Sequence, residues 1–262
     1  MSAKLNYFIF GVATLSGVAL RTVMLLFTLD PKSGFVVNEY SVFAYLMAAL
    51  LCLGAVTVFG SSLAVKNVKD SEISLNGYVL PVSLILFSAG IVYESLFSSL
   101  PSDKGIFGPV LYGIVTVAAA ASLIYIAVCK FIKAKYPPLL TLVPVVFWLV
   151  RLIVVFTNFS SLALVSDYVI ETVFMCLALL TFFFYAKIEC NQPIKHVRFF
   201  FAVSLVCGYA ATLCSLPRII LEIVVKSQAV HLNPVPFSTG IVVAFFAVAL
   251  SAKLLFEKLK EE

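Results

Sequence analysis

LLTLVPVVFWLVRLIVVFTNF, residues Leu139 to Phe159, is the stretch that decides the fold. About 20 consecutive apolar residues span the roughly 30 Å of a bilayer's hydrocarbon core as an α-helix. This run meets that ruler with one ionisable side chain, Arg151. It shows no period-two alternation, so it reads as a spanning helix rather than a barrel strand. Arg151 also raises the question of function. A charge near the bilayer centre costs a few kcal/mol by insertion scales, so such residues face the interior of a helix bundle or water.

The same ruler applied to all 262 residues gives eight spans, at about 6–28, 40–64, 78–99, 107–129, 139–159, 164–186, 198–222 and 237–256. The composition agrees: 62% of the chain is hydrophobic and 12% charged, against about 45–50% and about 25% in soluble domains. The expected fold is an all-α integral membrane protein of eight transmembrane helices, a single transmembrane domain over residues 1–262. The longest polar intervals run to about a dozen residues, too few for an autonomous soluble domain, which argues against a fused catalytic module. The apolar run after Lys4 extends past Arg21 to Phe27, longer than a secretory h-region, so it is read as a first span and not as a cleaved leader.

The net charge of +5 reports orientation rather than nucleic-acid binding. With eight spans, twelve Lys and Arg side chains fall on the side of the two termini, and only Lys32, Lys104 and Lys226 fall opposite. Both termini are therefore expected in the cytoplasm, in the plasma membrane of the cell. The basic loop Cys129–Tyr136 fits the same bias and suits contact with anionic lipid.

Three arginines remain inside spans: Arg21, Arg151 and Arg218. With Glu94, Glu171 and Glu222 they gather toward the expected extracytoplasmic side, and Asn158 lies two turns beyond Arg151 on the same face. Small residues accompany them at helical spacing: Gly17 with Arg21, Gly90 with Glu94, and Ala211 and Cys214 with Arg218. Small faces let helices approach closely in lipid. Trp148 precedes Arg151 by three residues, near enough for a cation–π contact. Pro217, just before Arg218, suggests a kink or break of the kind that marks transporter sites.

One offset links charges on different spans. Arg21 and Arg151 lie 130 positions apart, while Glu39 and Asp167, and Glu94 and Glu222, lie 128 apart. This suggests a duplicated four-helix unit with halves at 1–135 and 136–262, a 4+4 arrangement whose copies run parallel.

The expected function follows from the buried charges. Arginine's planar fork suits carboxylate or phosphate, so a small-molecule transporter or ligand-binding permease component is expected, taking an anionic or zwitterionic ligand at Arg21, Glu94, Arg151, Asn158, Glu171, Arg218 and Glu222. The alternative is a scaffold or regulatory subunit whose charges are structural salt bridges, with a protein partner or a second copy. No catalytic residues, cofactor or metal are expected. The two histidines, His196 and His231, fall in different loops, none of the six cysteines forms a CxxC pair, and there is no HExxH, GxSxG or P-loop motif.

Leu20-Arg21 followed by Asp30-Pro31-Lys32-Ser33-Gly34-Phe35 resembles a stretch of uncharacterised bacterial polytopic membrane proteins, which show Leu-Arg in the first span and then an Asp-x-x-x-Gly turn. The resemblance covers roughly the first 35 residues. It implies a bacterial membrane protein and no particular activity.

Overall fold

A computed structural model describes residues 1–28, 40–65, 77–97, 107–159, 166–190, 192, 197–225 and 237–256. Asp30–Phe35 and Glu39 lie outside these, as do the side chains of Asn158, Asp167 and Glu222. The described chain is helical: α1 (Ala3–Phe27), α2 (Ser41–Leu63), α3 (Val79–Phe97), α4 (Phe107–Phe131), α5 (Val143–Phe159), α6 (Ser166–Glu189), α7 (Val197–Val225) and α8 (Phe237–Phe256). Six of them are long and apolar enough to cross a membrane, and the apolar stretches in α3 and α8 are shorter.

Local chemistry explains several boundaries. Ser2 caps α1, its hydroxyl accepting from the Leu5 amide at 3.3 Å. The polypeptide leaves α4 through Lys133, which adopts a positive φ of 55°. Pro137 and Pro138 cannot extend an α-helix backward, and the 3-10 turn Pro138–Leu142 leads into α5. Of the kink or break that Pro217 suggested, a break that ends the helix is not seen. α7 remains helical from Val197 to Val225 with the proline inside it, since neighbouring helices re-satisfy the backbone group that a proline frees in a membrane bundle.

Contacts between helix ends set the topology. The Met1 ammonium donates to the Ala64 carbonyl beyond α2, and the Tyr7 hydroxyl lies 3.1 Å from Ser251 late in α8. Tyr78 at the start of α3 stacks on Phe131 at the end of α4. Phe199 at the start of α7 packs on Phe59 late in α2 and Phe184 late in α6. Tyr136, before α5, reaches Glu189 at the end of α6. Odd helices therefore leave this terminal end and even helices return to it.

α7 is the axis of the bundle, buried along most of its length, while α1 and α2 expose large apolar side chains such as Leu15, Val42 and Tyr45. Such a surface suits lipid and not water. Small residues bring the helices together around α7. At Gly17 of α1 a Cβ would fall 2.9 Å from the Tyr209 hydroxyl, and at Gly54 of α2 it would strike the same group. The space they leave lets Tyr209 donate to the Leu51 carbonyl at 3.1 Å. On the other side, Gly240 of α8 lies against Ser215 and the Ala211 carbonyl of α7.

Candidate functional site

The buried charges gather toward the end of the bundle away from residue 1. Arg151 and Glu94 are each only 2% exposed. Arg151 Nη1 donates to Glu94 Oε2 at 2.8 Å, and Nη2 stands 2.5 Å from Oε1 as an ion pair without hydrogen-bond alignment. Thr239 at the start of α8 donates to the same Oε2 at 2.5 Å. Gly90, one turn earlier on α3, permits this approach, because a Cβ there would already meet the Thr239 Cα at 3.8 Å. Tyr112 of α4 also acts on Glu94. One carboxylate thus draws together α3, α4, α5 and α8.

The guanidinium of Arg151 lies 5.3 Å from the centre of the Trp148 ring and 5.8 Å from that of Phe147. Two aromatic faces help to compensate a charge removed from water. Trp148 packs edge-on against Phe174 of α6, with ring centres 5.6 Å apart. From this contact Arg151 is three residues onward along α5, and Glu171 is three residues back along the antiparallel α6. The α5–α6 seam therefore sets Trp148 beside Phe174 on one turn and Arg151 near Glu171 on the next.

A second pair joins α6 to α7: Arg218 Nη2 donates to Glu171 Oε1. Arg21 of α1 is buried close by, its Nη1 3.3 Å from the Met24 sulfur, in the field of both Arg218 and Glu171. Glu171 in turn feels Arg218, Arg21 and Arg151. In this cluster three atoms make no hydrogen bond to a described residue: Arg151 Nη2, the second carboxylate oxygen of Glu171, Oε2, and the Trp148 indole N–H. Arg151 Nη2 still has its ion pair with Glu94, whereas the other two are buried where an unsatisfied group is costly.

Five of the seven expected site residues are thus described, and they converge: Arg21, Glu94, Arg151, Glu171 and Arg218. Asn158 and Glu222 sit on α5 and α7, their side chains outside the described residues. The cation–π contact of Trp148 is present. Arg218 is 4% exposed and turned to Glu171. Sequence reasoning missed Thr239 and Tyr112, because a hydroxyl in an apolar span is common and nothing local marks its partner. It also missed a polar cluster at the terminal end, where Lys130 Nζ lies 2.6 Å from Glu189 Oε1 and Tyr136 donates to Oε2. Among the described residues no group of three or more His, Cys, Asp or Glu is placed to hold a metal ion.

Comparison with models of known protein families, with curated proteins and with solved structures finds no match in any of the three.

Proposed function

We propose that this polytopic membrane protein binds and carries a small anionic or zwitterionic solute, as a transporter or the ligand-binding component of a permease. The site is the cluster of Arg21, Glu94, Arg151, Glu171 and Arg218. One observation carries the reading: the helix bundle buries these five ionisable side chains together and leaves the Glu171 Oε2 acceptor and the Trp148 N–H donor unused among the described residues. Intramembrane ionisable residues that face a bundle interior mark substrate or ion pathways by default. A zwitterion matches what is offered. Its ammonium would donate to Glu171 Oε2, and its carboxylate would accept from the Trp148 N–H and an arginine. In this reading all eight helices span the membrane, both termini are cytoplasmic, and the site opens from the extracytoplasmic half of a bacterial plasma membrane. A 4+4 repeat would supply the two bodies that rock about such a site.

A second reading has its own support. Arg151 is paired with Glu94, and Arg218 with Glu171, as expected if the charges only lock helices together in a scaffold or regulatory subunit.

The protein carries its own reporter, because Trp148 is the one tryptophan in the chain. Full-length protein in lipid nanodiscs, titrated with small anions and zwitterions while Trp148 emission is followed, should show saturable change with one chemical class and none in Glu171→Gln. If no compound shifts the emission or the unfolding temperature, and the wild type captures a stoichiometric protein partner from its own membrane, the scaffold reading stands instead.

A further inference from the structure

The connection from α4 into α5 lies at the opposite end of the bundle from the arginine cluster and takes no part in it. Its backbone has a definite shape. The Ala134 amide donates to the Cys129 carbonyl at 2.8 Å, closing the end of α4 around Lys133. Lys133 there sits in the left-handed region, with φ of 55°. This is the place just past a helix that glycine usually fills, because a side chain makes the conformation costly. The far side of the connection is fastened to α6: Tyr136 donates to Glu189, and Lys130 pairs with the same carboxylate at 2.6 Å. Pro137 and the 3-10 turn Pro138–Leu142 follow.

Charge at this end is not balanced. Among the described residues Glu189 is the one carboxylate here, and Lys130 takes it. Lys133 and Lys135 are exposed, and neither pairs with a described residue. Their neighbours Ile132 and Leu139 are 68% and 69% exposed, and Phe131 also reaches the surface. Tyr78 stacks on Phe131, with ring centres 6.1 Å apart. Tyrosines at the ends of apolar helices sit at the headgroup level of a bilayer. Two ammonium groups thus stand beside an apolar patch at the membrane boundary. Within the described protein, a lysine at position 133 gains nothing to offset its backbone, and an outlier of that kind points to a role outside the fold.

We propose that the α4–α5 connection is a binding surface for an anionic phospholipid. The headgroup phosphate accepts from Lys133 and Lys135, and the acyl chains lie on Ile132, Leu139 and Phe131. Lysine suits this task, since its ammonium is a point charge with three donors that meets a phosphate from many angles. The hold of Tyr136 on Glu189 keeps the connection at the membrane boundary, so little ordering remains to be done when the lipid binds. This surface is separate from the solute site and does not depend on it.

The test places a reporter on the patch. Leu139→Trp is combined with Trp148→Phe, which leaves one tryptophan, at the connection. The full chain is reconstituted in bilayers of phosphatidylcholine and phosphatidylglycerol, with brominated acyl chains on one lipid and then on the other. Quenching gives the ratio of the two affinities at the patch. A basic residue near an anionic surface is worth about fivefold in binding, so phosphatidylglycerol should be favoured by about fivefold or more. Lys133→Gly with Lys135→Gln should bring the ratio to within about twofold of one. Lys133→Gly by itself should lower the ratio while the protein unfolds at the same temperature or higher, because glycine relieves the left-handed backbone. Lys4→Gln, at the same end on α1, should leave the ratio unchanged. An excess of free glycerol phosphate should not alter it either. The proposal is overturned if the parent ratio falls short of fivefold, or if it survives loss of both lysines. It is equally overturned if Lys4→Gln lowers the ratio as much as Lys133→Gly does, which would mean a general surface potential, or if glycerol phosphate abolishes it, which would mean a site for soluble phosphate.

Discussion

Replacing Arg151 by Met tests the buried cluster most directly. The substitution keeps an unbranched apolar stem and removes the guanidinium with its charge. It takes the cation from Glu94, 2% exposed, and leaves the Thr239 hydroxyl and Tyr112, both neutral, beside it. Removing one partner of a buried ion pair costs about 3–5 kcal/mol, because the remaining charge stays uncompensated. Loss of the guanidinium from the faces of Trp148 and Phe147 adds about 1–2 kcal/mol. Arg151→Met should therefore lower unfolding free energy by about 4–7 kcal/mol, the sum of those two ranges, measured by reversible denaturant titration in mixed micelles. The companion is Arg151→Met with Glu94→Gln. A neutral amide still accepts from Thr239 and no longer needs a cation, so the double variant should recover most of the loss, since replacing both members of a buried pair is often close to neutral. The reasoning fails if the single substitution costs less than about 1 kcal/mol, the range of an exposed pair, or if the double variant is as unstable as the single one.

Further outcomes follow from the same geometry. Arg218→Met should destabilise the protein more than Arg218→Lys, because lysine keeps the charge opposite Glu171 and loses only the planar fork; equal effects in the same titration would argue against a direct pair. Gly240→Ala should cost about 1–3 kcal/mol, because its Cβ runs into Ser215 and stands 3.2 Å from the Ala211 carbonyl. Gly11→Ala and Gly60→Ala meet nothing within 4 Å and should be close to neutral, so equal losses at all three glycines would contradict the α7–α8 packing. Burial, and then the hydrogen bond to Glu189, raise the Tyr136 phenol above its ordinary value. A raised phenol contributes stability that is complete below the ordinary tyrosine pKa of about 10 and is lost only as the pH climbs above it. Hydrogen exchange across residues 128–137, corrected for its intrinsic rate, should therefore be flat from about pH 6 to 9; a step inside that window would refute the assignment of Tyr136 as donor.

Most of the architecture was legible along the chain, for a simple reason. In lipid every backbone polar group must be satisfied within its own helix, and helix length must match bilayer thickness. Leu139–Phe159 therefore declares itself without reference to any neighbour, and the observed α5 with its leading 3-10 turn covers that stretch. The cost of an intramembrane charge is equally local, so Arg21, Glu94, Arg151, Glu171 and Arg218 could be singled out one helix at a time. Their small companions Gly17, Gly90 and Ala211 marked the inward faces on the same grounds. Pro217 left kink and break open because its effect depends on what surrounds it, and α7 passes through it unbroken.

Pairing was not legible. Nothing in the sequence says that Glu94 takes Arg151 and Thr239, from 57 and 145 positions away, or that Arg218 takes Glu171 from 47 positions away. Lys130 was read as one more lysine on a basic loop, and only the meeting of α4 with α6 gives it Glu189. The sequence by itself determined that this chain makes long apolar helices suited to a bilayer and which charges they must shelter, because those follow from the transfer of each segment out of water. Only the tertiary structure decided which charges meet, which hydroxyls join them and which polar atoms are left wanting a partner, because a hydrogen bond is set by a few ångströms between side chains that the chain holds far apart.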